Sequence, residues 1–425
     1  MNFDSKMNSD SKIIANANAN TELLLSAIKI IEQPITFKTG TATNIGGGRE
    51  NQDTVCCFQN ADIIAMCVID GHGTDGKWIA EVCKTTTESW ISENNERMLS
   101  EPVKSLSDLF VDMKQILSKK IVEKYSKLNQ ECKIESSGII LIKKIYTNKW
   151  QPLLSGGATM TVAVLIKKTL KLYMANIGDS DAILCSSNHI LSQDDLTCEN
   201  EFEDIRKTKE NTSVSATKYL MLTADHSPNN PKEYMRMRDI APSPYTPNKA
   251  NINIIYDNQR ITNKIMCCQV FNISNPIPTI LTCPIDSGYH KNVRHEYATY
   301  LLNQENNLLA FTRSMGDFHM YPYGVVCVPT ISSIDLSSIL DRYEETDTQP
   351  TLCLLISTDG VWDNWLFEDV QHFMMYDDCL ETVATKPDGV QKVLDSFMDR
   401  NNMLGISHFG NSSDNATSAV MYITK

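Results

Sequence analysis

The chain has 425 residues, 42% of them hydrophobic and 21% charged, a composition typical of a globular protein and one that excludes disorder of the whole. This length fits either two or three average domains or one large sheet-based domain with insertions. The formal net charge of -13 argues against nonspecific binding to nucleic acid or to an anionic membrane, because both require clustered Lys and Arg. The negative net charge instead favours binding of a metal cation or of a basic partner.

Residues 1–35 form a polar, Asn-rich leader that ends in a short amphipathic stretch at 21–33, which we expect to be a tail or a packing helix. The leader has neither the basic start nor the apolar run of a secretory signal, and Asn2 excludes N-myristoylation. No apolar run approaches the roughly 20 residues that span a bilayer. The thirteen cysteines lack CxxC metal spacing. We therefore expect free thiols in the cytosol or nucleus.

Short runs of Val, Ile, Leu and Met bounded by turn residues predict strands at 63–69, 160–166, 171–177, 352–357 and 418–423. Only KKTL separates the second run from the third, which predicts an antiparallel hairpin, and 181–187 is placed as an extension of that meander. Helical patterns lie at 77–91, 105–125, 366–376 and 388–400. Antiparallel strands with helices grouped between them predict an α+β domain of sheets covered by helices.

Three stretches lack this order: part of 85–153, then 187–219, and 241–307, which is rich in Asn, Pro and Tyr. Long irregular segments in a compact domain are functional flaps, docking surfaces or disorder, and the sequence leaves these alternatives open. We interpret 36–425 as one catalytic domain that carries these stretches as insertions.

Carboxylates stand where the predicted strands meet Gly, Asn or Ser turns: Asp53, Asp70, Asp179, Asp359 with Asp363, and Asp414. A single strand-end Asp is typical of a turn cap. Strand ends converge at a sheet edge, however, and these carboxylates, once brought together, repel strongly unless cations neutralise them. The set therefore predicts a metal centre, and oxygen-only ligands select Mg²⁺ or Mn²⁺.

Two further residues could take part in chemistry at such a centre. His72 lies in the DGHG turn two residues after Asp70, where it can donate a proton to a leaving group. Arg49 offers a planar fork for a phosphate dianion. The ordinary alternatives are a core or surface histidine and a surface arginine. Together the parts predict two-metal hydrolysis with water as the nucleophile. GGGR at 46–49 does not fit the phosphate loop GxxxxGK[ST], so we interpret it as a turn.

These motifs, in this order, resemble the metal-dependent protein phosphatase 2C family of serine/threonine phosphatases. The matching stretches are RENQD, VIDGHG, SGGATMTVAVL, ANIGDSDAIL, LTADHSPNNPKEYMRM, LLAFTRSMGD, LLISTDGVWDNW and SDNATSAVMYI, which together span about 40–425. The resemblance implies an α-β-β-α sandwich of two antiparallel sheets, with the ions in a cleft between the sheet edges. It also implies direct hydrolysis of phosphoserine and phosphothreonine in protein substrates, by attack of a hydroxide that bridges the ions and without a phosphoenzyme. We expect a monomer.

The resemblance also assigns the ions' ligands. It implies that Asp70 bridges both Mg²⁺ or Mn²⁺ ions and that Gly71 offers its carbonyl to one of them. Asp359 and Asp414 are similar to the ligands of the other ion. Asp53 is similar to a residue that supports the site through water.

The remaining roles belong to residues around the two ions. Asp179 and Asp363 are similar to the family's weaker carboxylates for a third ion. His72 resembles the general acid, and Arg49 resembles the phosphate clamp. The segment 241–307 falls where the family carries a flap beside its active site, and it is longer here. We expect substrate choice to be made there.

The sequence departs from the family pattern at several positions. Arg49 and Asp53 are separated by one residue fewer than usual, Gln52 stands where Glu is common, and Asp181 replaces the Arg of the GDSR motif. Thr74 follows the catalytic turn in place of Gly. We assign Asp225, His226 and Asp317 to support of the fold and leave them outside the site.

Two alternative functions stay open. A phosphatase-like scaffold would keep the fold and bind partners without turnover, although such a protein should have lost carboxylates that this chain retains. A phosphatase of small esters or nucleotides would keep the chemistry, but no base-stacking or nucleotide-cradling motif supports it.

Overall fold

The computed structural model describes residues 35–187, 191–200, 217–239, 253–257, 269–272, 279–281, 289–303, 305–341 and 351–425. The predicted leader, apart from residue 35, lies outside the described residues, as do large parts of the predicted insertions at 187–219 and 241–307.

The strands, in chain order, are β1 Thr36–Asn44, β2 Thr54–Gln59, β3 Ile63–Ile69, β4 Gly71–His72, β5 Cys132–Ile134, β6 Ile140–Lys143, β7 Trp150–Pro152, β8 Gly157–Ala158, β9 Met160–Ile166, β10 Lys171–Ile177, β11 Asp181–Ser186, β12 Leu196–Cys198, β13 Tyr219–Met221, β14 Asn253–Tyr256, β15 Phe271–Asn272, β16 Thr279–Ile280, β17 Thr299–Leu302, β18 Leu308–Leu309, β19 Met315–Gly316, β20 Thr330–Asp335, β21 Thr351–Ser357 and β22 Ala416–Thr424. The α-helices are α1 Gly76–Glu93, α2 Asn95–Ser100, α3 Pro102–Lys127, α4 Pro231–Asp239, α5 Leu336–Asp341, α6 Asp359–Trp362, α7 Phe367–Met374, α8 Asp377–Thr385 and α9 Gly389–Phe409. Short 3₁₀ turns occupy Gln193–Asp195, Phe318–Tyr323 and Gly410–Ser412.

Two antiparallel sheets form the centre of the molecule. The first has the strand order β1-β22-β21-β11-β13 and the second has the order β12-β20-β10-β9-β3-β2. Along β1 the register pairs Thr36 with Thr424, so an early strand lies against a late one. Small sheets surround this centre, including β19-β8-β4, β14-β17-β18 and β5-β6-β7.

Three buried apolar layers, one between the two sheets and one between each sheet and its helices, identify the architecture as an α-β-β-α sandwich. Alternate residues of β3, β9 and β10 pack outward against α1 and α3, for example Val162 and Val164. The other alternate residues, including Ala163 and Leu165, face the first sheet and fill the space between the sheets. The outer face of that sheet packs on α6 to α9. Period-two alternation with both faces buried explains why these strands are almost entirely apolar.

All five predicted strands are present, and 160–166 and 171–177 pair as the predicted antiparallel hairpin. The placement of 181–187 was wrong: β11 leaves the hairpin and pairs with β21 and β13 in the opposite sheet. The turn at 178–180, where Gly178 has φ +87°, redirects the chain between the layers.

The helices predicted at 77–91 and 105–125 are present, and they occupy much of the stretch 85–153, part of which was predicted to be irregular. α1 continues to Glu93 and α3 runs from Pro102 to Lys127, with Leu106, Phe110, Met113 and Leu117 buried along one face. A three-stranded sheet, β5-β6-β7, follows. The three- and four-residue spacing of those apolar side chains is the helical signal.

A satellite cluster lies where the flap was predicted. It packs α4 against β14, β17 and β18 through Met237, Ile254 and Leu301. Among the described helices, none has the length and apolarity needed to cross a bilayer. The cysteines in the described part of the chain are free thiols.

Candidate active site

The strand topology brings the predicted carboxylates to one edge of the sandwich. β3 and β10 both run antiparallel to β9, so Asp70 and Asp179, which follow them, lie at the same end of the second sheet. Asp53 precedes β2, whose first residue pairs with the last residue of β3. Asp359 follows β21 and Asp414 precedes β22, and Ser357 pairs with Ser418 at that end of the first sheet.

The charges of these carboxylates act on one another. Burial raises the pKa of Asp70 well above its ordinary value, and the charges of Asp53, Asp359, Asp414 and Asp179 raise it further. Asp359 behaves in the same way, with burial first and then Asp179 and Asp414. A centre in which each carboxylate destabilises the charge of the next is one that positive charge would stabilise.

Asp53 and Asp363 stand at two sides of this group. Burial raises the pKa of Asp53 to about 7, although a hydrogen bond from Thr358 Oγ1 to its Oδ2, 2.7 Å long, favours the charged form. Burial raises the pKa of Asp363 to about 7 as well, opposed by the positive charges of Lys291 and Arg294. Both carboxylates are therefore sensitive to any cation that joins the group.

Two carboxylate oxygens at this edge are buried without a hydrogen-bond partner, namely Oδ1 of Asp179 and Oδ1 of Asp359. An unpaired buried carboxylate oxygen is costly, and a hard cation is the ligand that satisfies it. Over the described ranges, however, no three His, Cys, Asp or Glu groups stand together in the arrangement of a ready-made metal site. The donor set fits Mg²⁺ or Mn²⁺ in its chemistry, and the carboxylates would have to draw closer around them.

His72 forms an ion pair with the buried Asp317. Its Nε2 lies 2.6 Å from Oδ2 of Asp317, and its ring meets the edge of Phe311 at 4.8 Å. Burial lowers the pKa of His72, but the charge and hydrogen bond of Asp317 outweigh burial and raise it above its ordinary value. The pair thus favours imidazolium, the form that can donate a proton.

Asp317 was left outside the predicted site, whereas in the structure it contacts His72. Burial raises the pKa of Asp317, but His72, His319 and a hydrogen bond from Ser314 lower it overall. No short motif marks this pairing, because 245 residues separate the two side chains. The small sheet β19-β8-β4 brings the two side chains together, because His72 lies on β4 and Asp317 directly follows the last residue of β19.

Glycines allow the close approaches that shape this edge. A Cβ on Gly157 would lie 2.3 Å from Oδ2 of Asp317, so a larger residue would displace the carboxylate from His72. At Gly46, where φ is +62°, a Cβ would lie 2.0 Å from the carbonyl oxygen of Asp414. The 46–49 run is therefore a turn, as predicted, and it packs against the backbone that carries Asp414.

A cavity of about 220 Å³ opens at this edge, lined by Asp179, Asp359, Asp363 and Asp414 together with Tyr289 and Lys291. Asp414 is exposed at the cavity, and its Oδ1 accepts a hydrogen bond of 2.7 Å from the Asn415 amide. Lys291 was not predicted as a site residue, since it belongs to the segment with no recognisable motif.

Arg49 does not line this cavity. It lies on an exposed turn, so its predicted role as a phosphate clamp remains a prediction. The neighbouring Gln52 donates from Nε2 to the carbonyl of Gly73 at 3.1 Å and thereby ties the turn after His72 to the strand that follows Asp53. Asp181 accepts a hydrogen bond from Thr223.

Comparison with known proteins gives the relationship of the chain. The family model described as "Protein phosphatase 2C" matches residues 48–245. The resemblance that the motifs predicted is therefore confirmed over residues 48–245. A structure of a C. elegans sex-determining protein is similar in fold, with a TM-score of 0.50 at 14% identity, over 97% of this chain and 74% of that one. A serine-threonine phosphatase 2C from Toxoplasma gondii has a TM-score of 0.49 at 14% identity, over 92% of this chain and 95% of that one.

A curated relative of the chain is "Protein phosphatase 1K, mitochondrial" from Xenopus laevis, which is 27% identical over 158 residues. That match covers 37% of this chain and 35% of the relative, so the chain spans about a third of that relative's length. The resemblance to the protein phosphatase 2C family, over residues 48–245, and the fold are those that the motifs predicted.

Proposed function

We propose that the chain is a Mg²⁺- or Mn²⁺-dependent protein serine/threonine phosphatase. The observation that carries this proposal is the set of mutually repelling carboxylates at one sheet edge, two of which hold buried oxygens with no partner. The 2C family model supports a phosphorylated protein as the substrate. The location of four of these carboxylates at the cavity, namely Asp179, Asp359, Asp363 and Asp414, supports an active centre rather than a row of turn caps.

Different residues of the chain would hold the two ions. Asp70 is raised in pKa by the charges of four neighbouring carboxylates, and it would hold the ions together with the Gly71 carbonyl. Asp359 and Asp414 would hold the second ion from the other sheet, and Asp53 would support the site from the strand next to Asp70. When bound, the ions supply the positive charge that holds the phosphoryl group and activates water.

The acid is His72. Its imidazolium is stabilised by Asp317 at Nε2, which leaves Nδ1, buried and without a hydrogen-bond partner, as the nitrogen that would donate a proton. Serine and threonine alkoxides are poor leaving groups, and protonation at this point lowers the barrier to P–O cleavage. Asp317 acts as a positioning residue because it orients the ring and keeps its charge.

The test is release of phosphate from a phosphothreonine peptide in the presence of Mn²⁺. We expect turnover by the wild type and loss to background with a chelator or with Asp70→Asn, which removes the most central charge. Asp335→Asn is the matched control, because Asp335 ends β20 opposite Lys171 at the far edge of the same sheet. Turnover that survives Asp70→Asn would refute the proposal.

A phosphatase-like scaffold is the second candidate. It is favoured by the finding that, in the part of the chain that the structure describes, no ready-made three-ligand site is present. Under this function the protein would bind Mn²⁺ or phosphopeptides and release no phosphate from any member of a phosphopeptide panel. That result would replace the catalytic proposal.

A further inference from the structure

Lys291 sits at the tip of a short hairpin that comes from the predicted flap. The Lys291 amide donates to the Glu296 carbonyl at 2.8 Å, and the Ala298 amide donates to the Tyr289 carbonyl at 2.8 Å. An antiparallel bridge joins His290 to Tyr297 between these bonds. The hairpin therefore has its own defined conformation.

The hairpin is docked on the segment that carries Asp359 and Asp363. The Val293 amide donates to the Asp363 carbonyl at 3.1 Å. The Arg294 guanidinium donates to the carbonyls of Trp362 and Trp365, the latter at 3.0 Å, and stacks 4.7 Å from the centre of the Phe367 ring. Since the anchor includes the backbone of Asp363 itself, the hairpin holds Lys291 at a fixed place relative to that carboxylate.

The Lys291 side chain lines the same cavity as Asp179 and Asp363. Burial lowers the pKa of Lys291, but the charges of Asp179 and Asp363, followed by Asp225 and Glu296, outweigh burial and raise it. The effect is mutual, because Lys291 is the first charge that lowers the pKa of both Asp179 and Asp363. An ammonium among carboxylates in a sheltered cavity is an internal counter-ion.

We propose that Lys291 is a tethered cation that offsets part of the negative charge of the outer carboxylate pair, Asp179 and Asp363, and leaves the chain with two divalent-ion positions rather than three. This inference rests on the proposed function for the two inner positions. A divalent ion placed between Asp179 and Asp363 would be repelled by the ammonium and would find part of the charge of its ligands already offset. The hairpin thus puts a covalently attached cation where an exchangeable ion would otherwise bind.

The first measurement is the number of Mn²⁺ ions bound per chain, by equilibrium dialysis with elemental analysis. We expect two in the wild type and in Lys291→Arg, which keeps the charge. In Lys291→Met, which keeps the length and loses the charge, we expect a third ion with an affinity at least about tenfold higher than any third ion in the wild type. The double variant Lys291→Met/Asp179→Asn should return to two. A third ion of equal affinity in wild type and Lys291→Met would overturn the proposal.

The second measurement needs no metal and no turnover. In chelator, Lys291→Met should lower the unfolding midpoint by a few degrees, because Asp179 and Asp363 then lack a counter-charge, and adding Asp179→Asn should restore most of that loss. Arg294→Gln, which loosens the anchor, should act in the same direction as Lys291→Met. Additive effects of Lys291→Met and Asp179→Asn would refute the pairing. Failure of the proposed function would be seen separately, as absent phosphate release from a protein that still shows this coupling.

Discussion

Replacing Asp317 by Asn tests the part of the mechanism that depends on one contact. The Nε2–Oδ2 distance of 2.6 Å is that of a charge-assisted hydrogen bond, and the two side chains are 28% and 3% exposed, so solvent screens the pair little. A hydrogen bond to a charged group contributes about 1.5–3 kcal/mol, equivalent to about a ten- to a hundredfold change in an equilibrium. Asn keeps the shape and removes the charge.

The expected result is a loss of kcat on a phosphothreonine peptide of about ten- to a hundredfold at neutral pH. The sign follows from the raised pKa of His72: without the Asp317 charge this pKa falls, and the protonated acid is lost at a lower pH. The alkaline limb of the kcat profile should therefore move to lower pH. On p-nitrophenyl phosphate, whose leaving group needs little protonation, the loss should be much smaller.

The assay compares both substrates over a pH series for wild type, Asp317→Asn and the distant Asp335→Asn, with the Mn²⁺ count as a check on folding. Asp335 is a fair control because it caps Ser337 on the exposed far edge. An unmoved pH profile, or an equal loss on both esters, would show that Asp317 does not act through the charge of His72.

Two further predictions concern stability. Since burial raises the pKa of Asp53 and Asp363 from 3.8 to about 7, the folded metal-free protein binds protons more tightly than the unfolded chain, and its unfolding midpoint in chelator should fall as pH rises from about 4 through 7. Mn²⁺ should flatten this slope, whereas a midpoint that rises over the same window without metal would contradict the burial of these carboxylates. Glu233→Gln should cost about 3–5 kcal/mol in urea unfolding, because Glu233 is the buried partner of Arg236 at 2.7 Å and of Arg313. A loss of unfolding free energy below about 1 kcal/mol would mean that hydroxyl and carbonyl groups around Arg236 and Arg313 hold these side chains in place without the Glu233 charge.

The sequence predicted the inner strands well because their signal is local. β3, β9, β10, β21 and β22 are buried on both faces and are written as continuous apolar runs. β1 and β2 were not predicted, since Thr, Lys and Cys dilute the apolar pattern on these edge strands. Helix α8 was missed for a similar reason, as Val383 is its single fully buried side chain.

The residues of the candidate site likewise divide into those with a local sequence signal and those without one. Each aspartate is marked by a strand followed by a turn, so Asp70 and Asp359 could be predicted from local sequence. Asp317 and Lys291 could not, because their partners lie far along the chain and are reached through a small glycine-rich sheet and a docked hairpin. The prediction for β11 was wrong for the same physical reason, because a strand's own sequence does not indicate which sheet the strand will join.

The pairing of β1 with β22 has a consequence for the order of events during synthesis. Thr36 pairs with Thr424, so the first sheet cannot be completed until β22 has been synthesised, almost 400 residues after β1. Asp53 and Asp414 are separated in the same way, and the carboxylate edge of the sandwich is incomplete until the segment before β22 is available. Folding dominated by such distant contacts is slow, so closure of this edge should lag behind synthesis of β22, with a lag that lengthens as β1–β22 contacts are weakened.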